Sequence, residues 1–464
     1  MADAYSESLN YRSMKSRAVA ARSFRVKIPS SNSTSFTPGQ TINIDLPGNL
    51  AGQFYNFNQM YLKFKVTNSH THSLTLDRAG AMSFIKRIQI STAGALLQDI
   101  NNWNVLATAL LDTDASPEWK GSNGNILLGT RGAVLAGEKM LSDDERVFCV
   151  PMVLNVLGNT TPHRLIPAFS LGAIQFKITL DDSVMYGKWG NTASPASAFS
   201  FTEVEMVALM TELSPGAMSQ VDSMNGGQYN ILATSWMNTT ASQGTETNLV
   251  ANLGISVSSL ERIIMCCRPN TSLNVAGSFS LGNRCQNGLK QYQYIINSEG
   301  FPSRPIVVEG KGAESYAEYL LSNHSLVNFR EGCGIQSGCV ELTDGKLLTG
   351  SMDGNVPNVR SPEPFIAGVS AGDSEGSVTA TAQGGVTGVT ASNVGTFITA
   401  VELESGLSDG KSASIYSGIS TISSTTQFRG EYSGAQAAQL DFFASYSVLL
   451  SLDTRGTGIW NISV

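Results

Sequence analysis

Gly368-Val369-Ser370-Ala371-Gly372 has the spacing G-x-S-x-G, which in α/β-hydrolases presents a nucleophilic serine on a tight strand-to-helix turn. That chemistry also needs a helix after the serine and a histidine base oriented by a carboxylate. Residues 373–388 are rich in Gly, Thr and Val and suit no such helix, and no histidine follows Ser370. In a Gly- and Ser-rich tract such a match is expected by chance. Asp112 and Asp114 begin something like a calcium loop, yet Pro117 stands where that loop needs Gly and Asn123 where it needs Glu. Gly310, Gly312 and Ser315 form a broken glycine pattern without the strand and helix of a phosphate cradle. The pairs Asp143/Asp144 and Asp181/Asp182 read as solvated turn residues. Tyr292 and Tyr294 could stack on bases or sugars, but their period-two spacing places them in a sheet core. No catalytic constellation survives, so no enzymatic activity, cofactor or metal is expected.

The six cysteines include the adjacent Cys266 and Cys267, the isolated Cys149 and Cys285, and the pair Cys333 and Cys339. None forms a CxxC pair, and His70, His72, His163 and His324 lack zinc spacing. Buried free thiols are expected, with a Cys333–Cys339 bridge left open. Charge is concentrated at the start. Arg12, Lys15, Arg17, Arg22, Arg25 and Lys27 face only Asp3 and Glu7 over the first 30 positions. A basic arm of this kind suits nucleic acid, lipid head groups or neighbouring subunits. The N-terminus lacks the apolar stretch of a secretory signal, so no secretion is expected.

The elements that would position these residues are strands. Ile42, Ile44 and Leu46 alternate with polar neighbours, as do Leu62, Phe64 and Val66, and Ile174, Phe176, Ile178 and Leu180. Leu440 to Leu452 alternate likewise, with Phe443 and Leu449 as exceptions. Two helices interrupt the pattern. One follows Asn101 and Asn102, with Trp103, Leu106, Ala107 and Leu110 at helical spacing, and either Asn can cap it. The other covers about 313–321, with Tyr316, Tyr319 and Leu320 on one face. Each helix follows a strand, and a long strand ends each half, 202–213 and 440–453. The chain of 464 residues thus reads as two copies of one antiparallel β architecture. Expected boundaries are a basic arm at 1–35, a first β unit at 36–213, a linker at 214–227 and a second unit at 228–464. The second unit carries a Gly-rich insertion at about 345–401, which should lie in an exposed loop. Charged residues make up 14%, against about 25% in an average protein, and the net charge is -7. Such a polar but weakly charged surface is readily buried against copies of itself. No run of residues is apolar enough to span a membrane.

Three blocks carry a family likeness. Residues 35–47 followed by Phe54 to Val66 (FYNFNQMYLKFKV) form the first. Tyr292 to Ile306, with the helix near Tyr316, form the second, and Phe442 to Asp453 (FFASYSVLLSLD) followed by 458–464 the third. In this order they resemble viral double jelly-roll major capsid proteins, of the polinton-like virus, virophage or small DNA virus type. The chain departs from that pattern at Ser447, where Asp is common, and in its Gly-rich insertion. The resemblance implies an all-β fold of two tandem eight-stranded antiparallel jelly rolls with short helices between strands. It implies a major capsid protein, a structural component of the virion that assembles inside the host cell. Homotrimers would form pseudo-hexagonal capsomers and self-assemble into an icosahedral capsid. Partners would be neighbouring capsid trimers, minor capsid and penton proteins, and the genome or an internal membrane through the arm. The alternative is a secreted two-domain β-sandwich adhesin or carbohydrate-binding protein.

Overall fold

A computed structural model describes residues 21–463 except 49, 93–94, 132–135, 162, 169–172, 191–198, 272, 278, 309–311, 324–396, 405–417 and 454–459. The G-x-S-x-G match, Cys333, Cys339, His324 and nearly all of the Gly-rich tract lie outside the described residues, as do Arg12, Lys15 and Arg17.

Sixteen principal strands fall into two sets of eight. The first set is β1 (Ala21–Pro29), β2 (Thr41–Leu46), β3 (Gln53–Asn68), β4 (Ile85–Thr92), β5 (Ala95–Ile100), β6 (Glu145–Pro151), β7 (Ile174–Leu180) and β8 (Phe199–Leu213). The second is β9 (Gln228–Gln243), β10 (Asn248–Asn252), β11 (Leu260–Pro269), β12 (Leu289–Ile296), β13 (Glu299–Val307), β14 (Thr399–Glu402), β15 (Thr426–Tyr432) and β16 (Ala438–Asp453). The pairings make one sheet of β1-β8-β3-β6 and a facing sheet of β2-β7-β4-β5. The second set repeats that order as β9-β16-β11-β14 and β10-β15-β12-β13. Every pairing is antiparallel, and the order in each set is that of a jelly roll. Shorter strands extend these sheets, and a three-stranded sheet of 187–189, 74–77 and 136–140 stands apart.

Helices occupy equivalent places in the two rolls. Helix α1 (Trp103–Asp114) follows β5, and α5 (Ala313–Ser322) follows β13. Two short helices, α2 (Pro117–Gly121) and α3 (Asn123–Leu128), continue after α1. The extra chain of the second roll falls at the corresponding point, since 324–396 separate α5 from β14. The stretch 214–227 is not an open linker but carries helix α4 (Pro215–Asn225). Ser214 caps it by accepting from the Ala217 N–H at 3.4 Å, and Gly226, at φ +60°, ends it.

The basic arm is shorter than its charge suggested. From Ala21 onward the chain is β1, paired residue for residue with β8 from Ala21–Leu213 to Pro29–Glu205. Phe24, Val26 and Ile28 alternate with Arg25 and Lys27, so the strand turns an apolar face inward, and Ile28 is buried. The described part of the first roll therefore includes Ala21–Pro29, ahead of the expected boundary at 36.

Two apolar cores follow from the layering. One lies between the sheets of the second roll and contains Ile263, Met265, Cys267, Tyr292, Tyr294, Phe428 and Phe442. The other fills the first roll and continues across α1 to the outer face of the β9-β16-β11 sheet, taking in Trp236, Ile264, Cys266 and Phe443. That sheet is thus covered on both faces. Phe443 breaks the alternation of β16 because its side, too, faces a core, while Leu449 is half-buried.

Candidate functional site: the seam between the rolls

Helix α1 is apolar nearly all round (WNVLATALLDTD), and eleven of its twelve residues are buried. The charge it carries at Asp112 is buried with it and must be matched there. Arg78 Nη1 lies 3.0 Å from Asp112 Oδ2, Arg284 Nη2 lies 2.6 Å from the same oxygen, and Lys120 Nζ lies 2.8 Å from Oδ1. Arg78 precedes the turn of 3-10 helix at 80–84, Lys120 comes from α2, and Arg284 from the loop between β11 and β12 of the other roll. All four side chains are at most 5% exposed. Burial raises the Asp112 pKa, but the three cations outweigh it and hold the carboxyl well below its usual range. The same burial lowers the Lys120 pKa. A calcium loop is excluded here by occupancy: Asp112 is committed to cations of the chain itself.

The loop at 270–284 makes further contacts across the seam. Asp77 Oδ2 accepts from the Leu281 N–H at 3.0 Å, while its Oδ1 accepts from the Arg78 N–H at 2.7 Å. Burial pushes the Asp77 carboxyl up to about 6, against those two amides, which act to lower it. The Trp189 N–H donates to the Ala276 carbonyl at 2.7 Å. Gly282 fits only because it has no side chain, since a Cβ there would stand 2.7 Å from Asp77 Oδ1.

A second polar cluster closes the other end of α1. Asn102 adopts φ +48° and makes no side-chain cap. Its Nδ2 donates instead to Asp441 Oδ1 at 2.9 Å, on β16 of the other roll. Asp441 also receives Arg268 Nε at 2.9 Å and Gln439 Nε2 at 3.0 Å. The capping role expected from the sequence thus gives way to a contact between rolls. Asp181 departs from expectation as well. It is buried, accepts from Asn104 Nδ2 at 2.7 Å and faces Lys86 at 3.7 Å, and burial raises its pKa. Its neighbour Asp182 caps the short helical turn at 183–185.

A groove of about 310 Å³ opens along the seam, lined among others by Phe57, Leu110, Met152, Trp236 and Arg262. The Arg262 guanidinium lies 4.9 Å from the Trp236 ring centroid, a cation–π contact that ties β9 to β11. Ser445 and Ser447 donate to the two oxygens of Glu261 at 2.8 and 2.5 Å. These contacts orient the strands that line the groove and lock them against one another.

No family model matches the chain, and no curated protein sequence matches it. Solved structures do. VP54 of PBCV-1, in the study that fitted it into a reconstruction of the virophage Sputnik, shares 10% identity, with 98% of this chain and 99% of that chain covered at a TM-score of 0.58. The Faustovirus major capsid protein shares 8% identity over 95% of this chain and 92% of its own, at 0.57. The mavirus major capsid protein shares 11% over 99% and 95%, at 0.51. The chain has the double jelly-roll fold of viral major capsid proteins. Within that double jelly roll, the match spans both rolls and the seam, in proteins with almost no residue identity to it.

The cations expected to act divide along the chain. Arg22 pairs with Glu212 at 2.7 Å and Lys27 lies 3.9 Å from Glu205, both on the double jelly roll's β8. With Arg25 they stand exposed along the outer edge strand of the first roll. Nothing in the sequence marks the seam residues Arg78, Asp112, Lys120 and Arg284 as a set, because their separations carry no local pattern. One signal was present: a carboxylate in the body of a helix that is apolar nearly all round.

Proposed function

We propose that the protein is the major capsid subunit of an icosahedral virus, residing in the virion and acting through assembly rather than catalysis. The observation that carries this is the strand order β1-β8-β3-β6 with β2-β7-β4-β5, repeated in one chain and shared over nearly its full length with solved capsid proteins. Two rolls side by side give one chain two similar lateral faces. Three chains around a three-fold axis then present six, the outline of a pseudo-hexagonal capsomer.

The strand edges support lateral association. Among the described residues, β5, β6, β10 and β13 each pair with a single labelled neighbour. Each also exposes one aliphatic side chain: Leu96 at 54%, Val147 at 46%, Val250 at 59% and Val307 at 43%. Edge strands of a monomer are normally blunted by charge, and an apolar edge invites another chain. By contrast β1, also an edge, is guarded by Arg22, Arg25 and Lys27. The seam makes each chain a rigid unit, which is what a tile requires. The basic segment that precedes Ala21 in the sequence would meet the genome, a lipid surface or a neighbouring capsomer. Minor capsid and penton proteins would complete the shell. The Gly-rich insertion, entering after α5 and returning at β14, belongs to the outer face.

The test is direct imaging. Negative-stain micrographs of the concentrated protein are expected to show hexagonal particles, sheets or closed shells. Dispersed single chains under all conditions tried would refute the coat-protein role.

A further inference from the structure

Cys267 lies in the buried stretch of β11, and Cys285 stands where the chain returns after the loop at 270–284. Their sulfurs are 3.9 Å apart, and the Cys285 N–H donates to the Cys267 carbonyl at 3.0 Å. Both side chains lie in the core of the second roll, whereas Cys266, its neighbour on the strand, faces the other core. The alternation of β11 therefore offers Cys285 one thiol partner and not two. The loop whose ends these cysteines join is the one that grips the first roll. Arg284 reaches Asp112, the Leu281 N–H reaches Asp77, and the Ala276 carbonyl receives the Trp189 N–H. Arg268, next to Cys267, holds Asp441 at 2.7 Å.

We propose that Cys267 and Cys285 are a latent disulfide, whose oxidation closes the neck of this loop and locks the two rolls together. The proposal is independent of the coat-protein role, since it concerns the covalent state of one chain. A disulfide has sulfurs about 2.0 Å apart and Cβ atoms about 3.8 Å apart. Rotation about the side-chain bonds brings the sulfurs together while the backbone hydrogen bond keeps the two segments in place.

The oxidant required is a small dialkyl disulfide such as oxidised glutathione. One cysteine thiolate attacks its S–S bond, forming a mixed disulfide and releasing one glutathione thiolate. The second cysteine thiolate then displaces the other glutathione. Two protein thiols become one disulfide, one glutathione disulfide becomes two thiols, and the two cysteine protons pass to the released thiolates. The contact with Cys285 and then burial hold the Cys267 thiol well above its usual range. Exchange therefore proceeds as the chain folds or when the loop opens, and the finished bond is shielded from reductants. The closed loop restricts the unfolded chain, so the oxidised form is the more stable.

The experiment uses the full chain, refolded once in a glutathione redox buffer and once in excess reductant, then denatured and alkylated. Trypsin leaves Cys266 and Cys267 on one peptide and Cys285 on another, and a Cys266→Ala variant assigns the bond. The expected result is a cross-link between the two peptides in wild type and in Cys266→Ala, with Cys149 alkylated. The oxidised protein should also melt several degrees above the reduced one, a difference that Cys285→Ala abolishes. Full alkylation of Cys267 and Cys285 after oxidative refolding would overturn the proposal, as would a bond that survives in Cys285→Ala. A cross-link that leaves the melting temperature unchanged would overturn the locking role.

Discussion

Asp112 is one carboxylate serving three buried cations, and that makes it the most sensitive residue of the seam. Replacing it with Asn keeps the shape and removes the buried negative charge that Arg78, Lys120 and Arg284 share. Removing one partner of a buried ionic cluster typically costs about 3–5 kcal/mol. Asp112→Asn should therefore lower the stability by that order, read by denaturant unfolding, whereas Asp143→Asn, in an exposed turn, should change it by no more than about 0.5 kcal/mol. Acid acts on the seam with a definite sign. The Asp77 carboxyl is raised from 3.8 to about 6, so between those values the folded chain binds more protons than the unfolded one. Stability from this group is full below pH 3.8 and falls as pH rises through about 6. Asp181, also raised by burial, acts in the same direction. Melting temperature is expected to be higher at pH 5 than at pH 7.5, with a difference worth about 1.4 kcal/mol at Asp77. Asp112 has the opposite sign, but its loss begins only below the ordinary carboxylate range. A flat or rising profile from pH 5 to pH 7.5 would contradict this assignment. Little of this chemistry could be read from sequence, because Arg78 and Arg284 reach Asp112 from 34 and 172 residues away.

The strands were far more legible. Leu62, Phe64 and Val66 in β3, and Ile174 to Leu180 in β7, announce themselves by period two, since each has one face on a core. Both principal helices were visible through apolar residues at helical spacing, although α1 is buried on nearly every side. What hid β1 was charge: Arg22, Arg25 and Lys27 drew attention away from Phe24, Val26 and Ile28, which alternate with them. What obscured β11 was the opposite, since burial on both faces removes alternation altogether. The placement of β1 sharpens a deletion experiment. Removing residues 1–20 should leave the melting temperature within a degree or two of the full chain and impair only assembly. Removing residues 1–29 strips a nine-residue ladder from β8 and exposes its buried residues, so the protein should melt much lower or aggregate. Equal melting temperatures for the two truncations would mean that β1 contributes nothing to the first roll.

At the scale of the molecule, the proposed hexagonal tile rests on two rolls in one chain, a seam of buried ion pairs between them, and edge strands that each expose a single aliphatic residue. The two-copy architecture showed in the sequence through matched helices and closing strands, although no residue identity links the halves. The seam did not show, since docking of one roll on another leaves no periodicity to find. Sedimentation equilibrium of the full chain at micromolar concentration addresses the central claim most directly. The mass should be about three times 49.3 kDa and independent of loading concentration, as for a closed three-fold assembly. A mass of 49.3 kDa that persists across the micromolar range would contradict it.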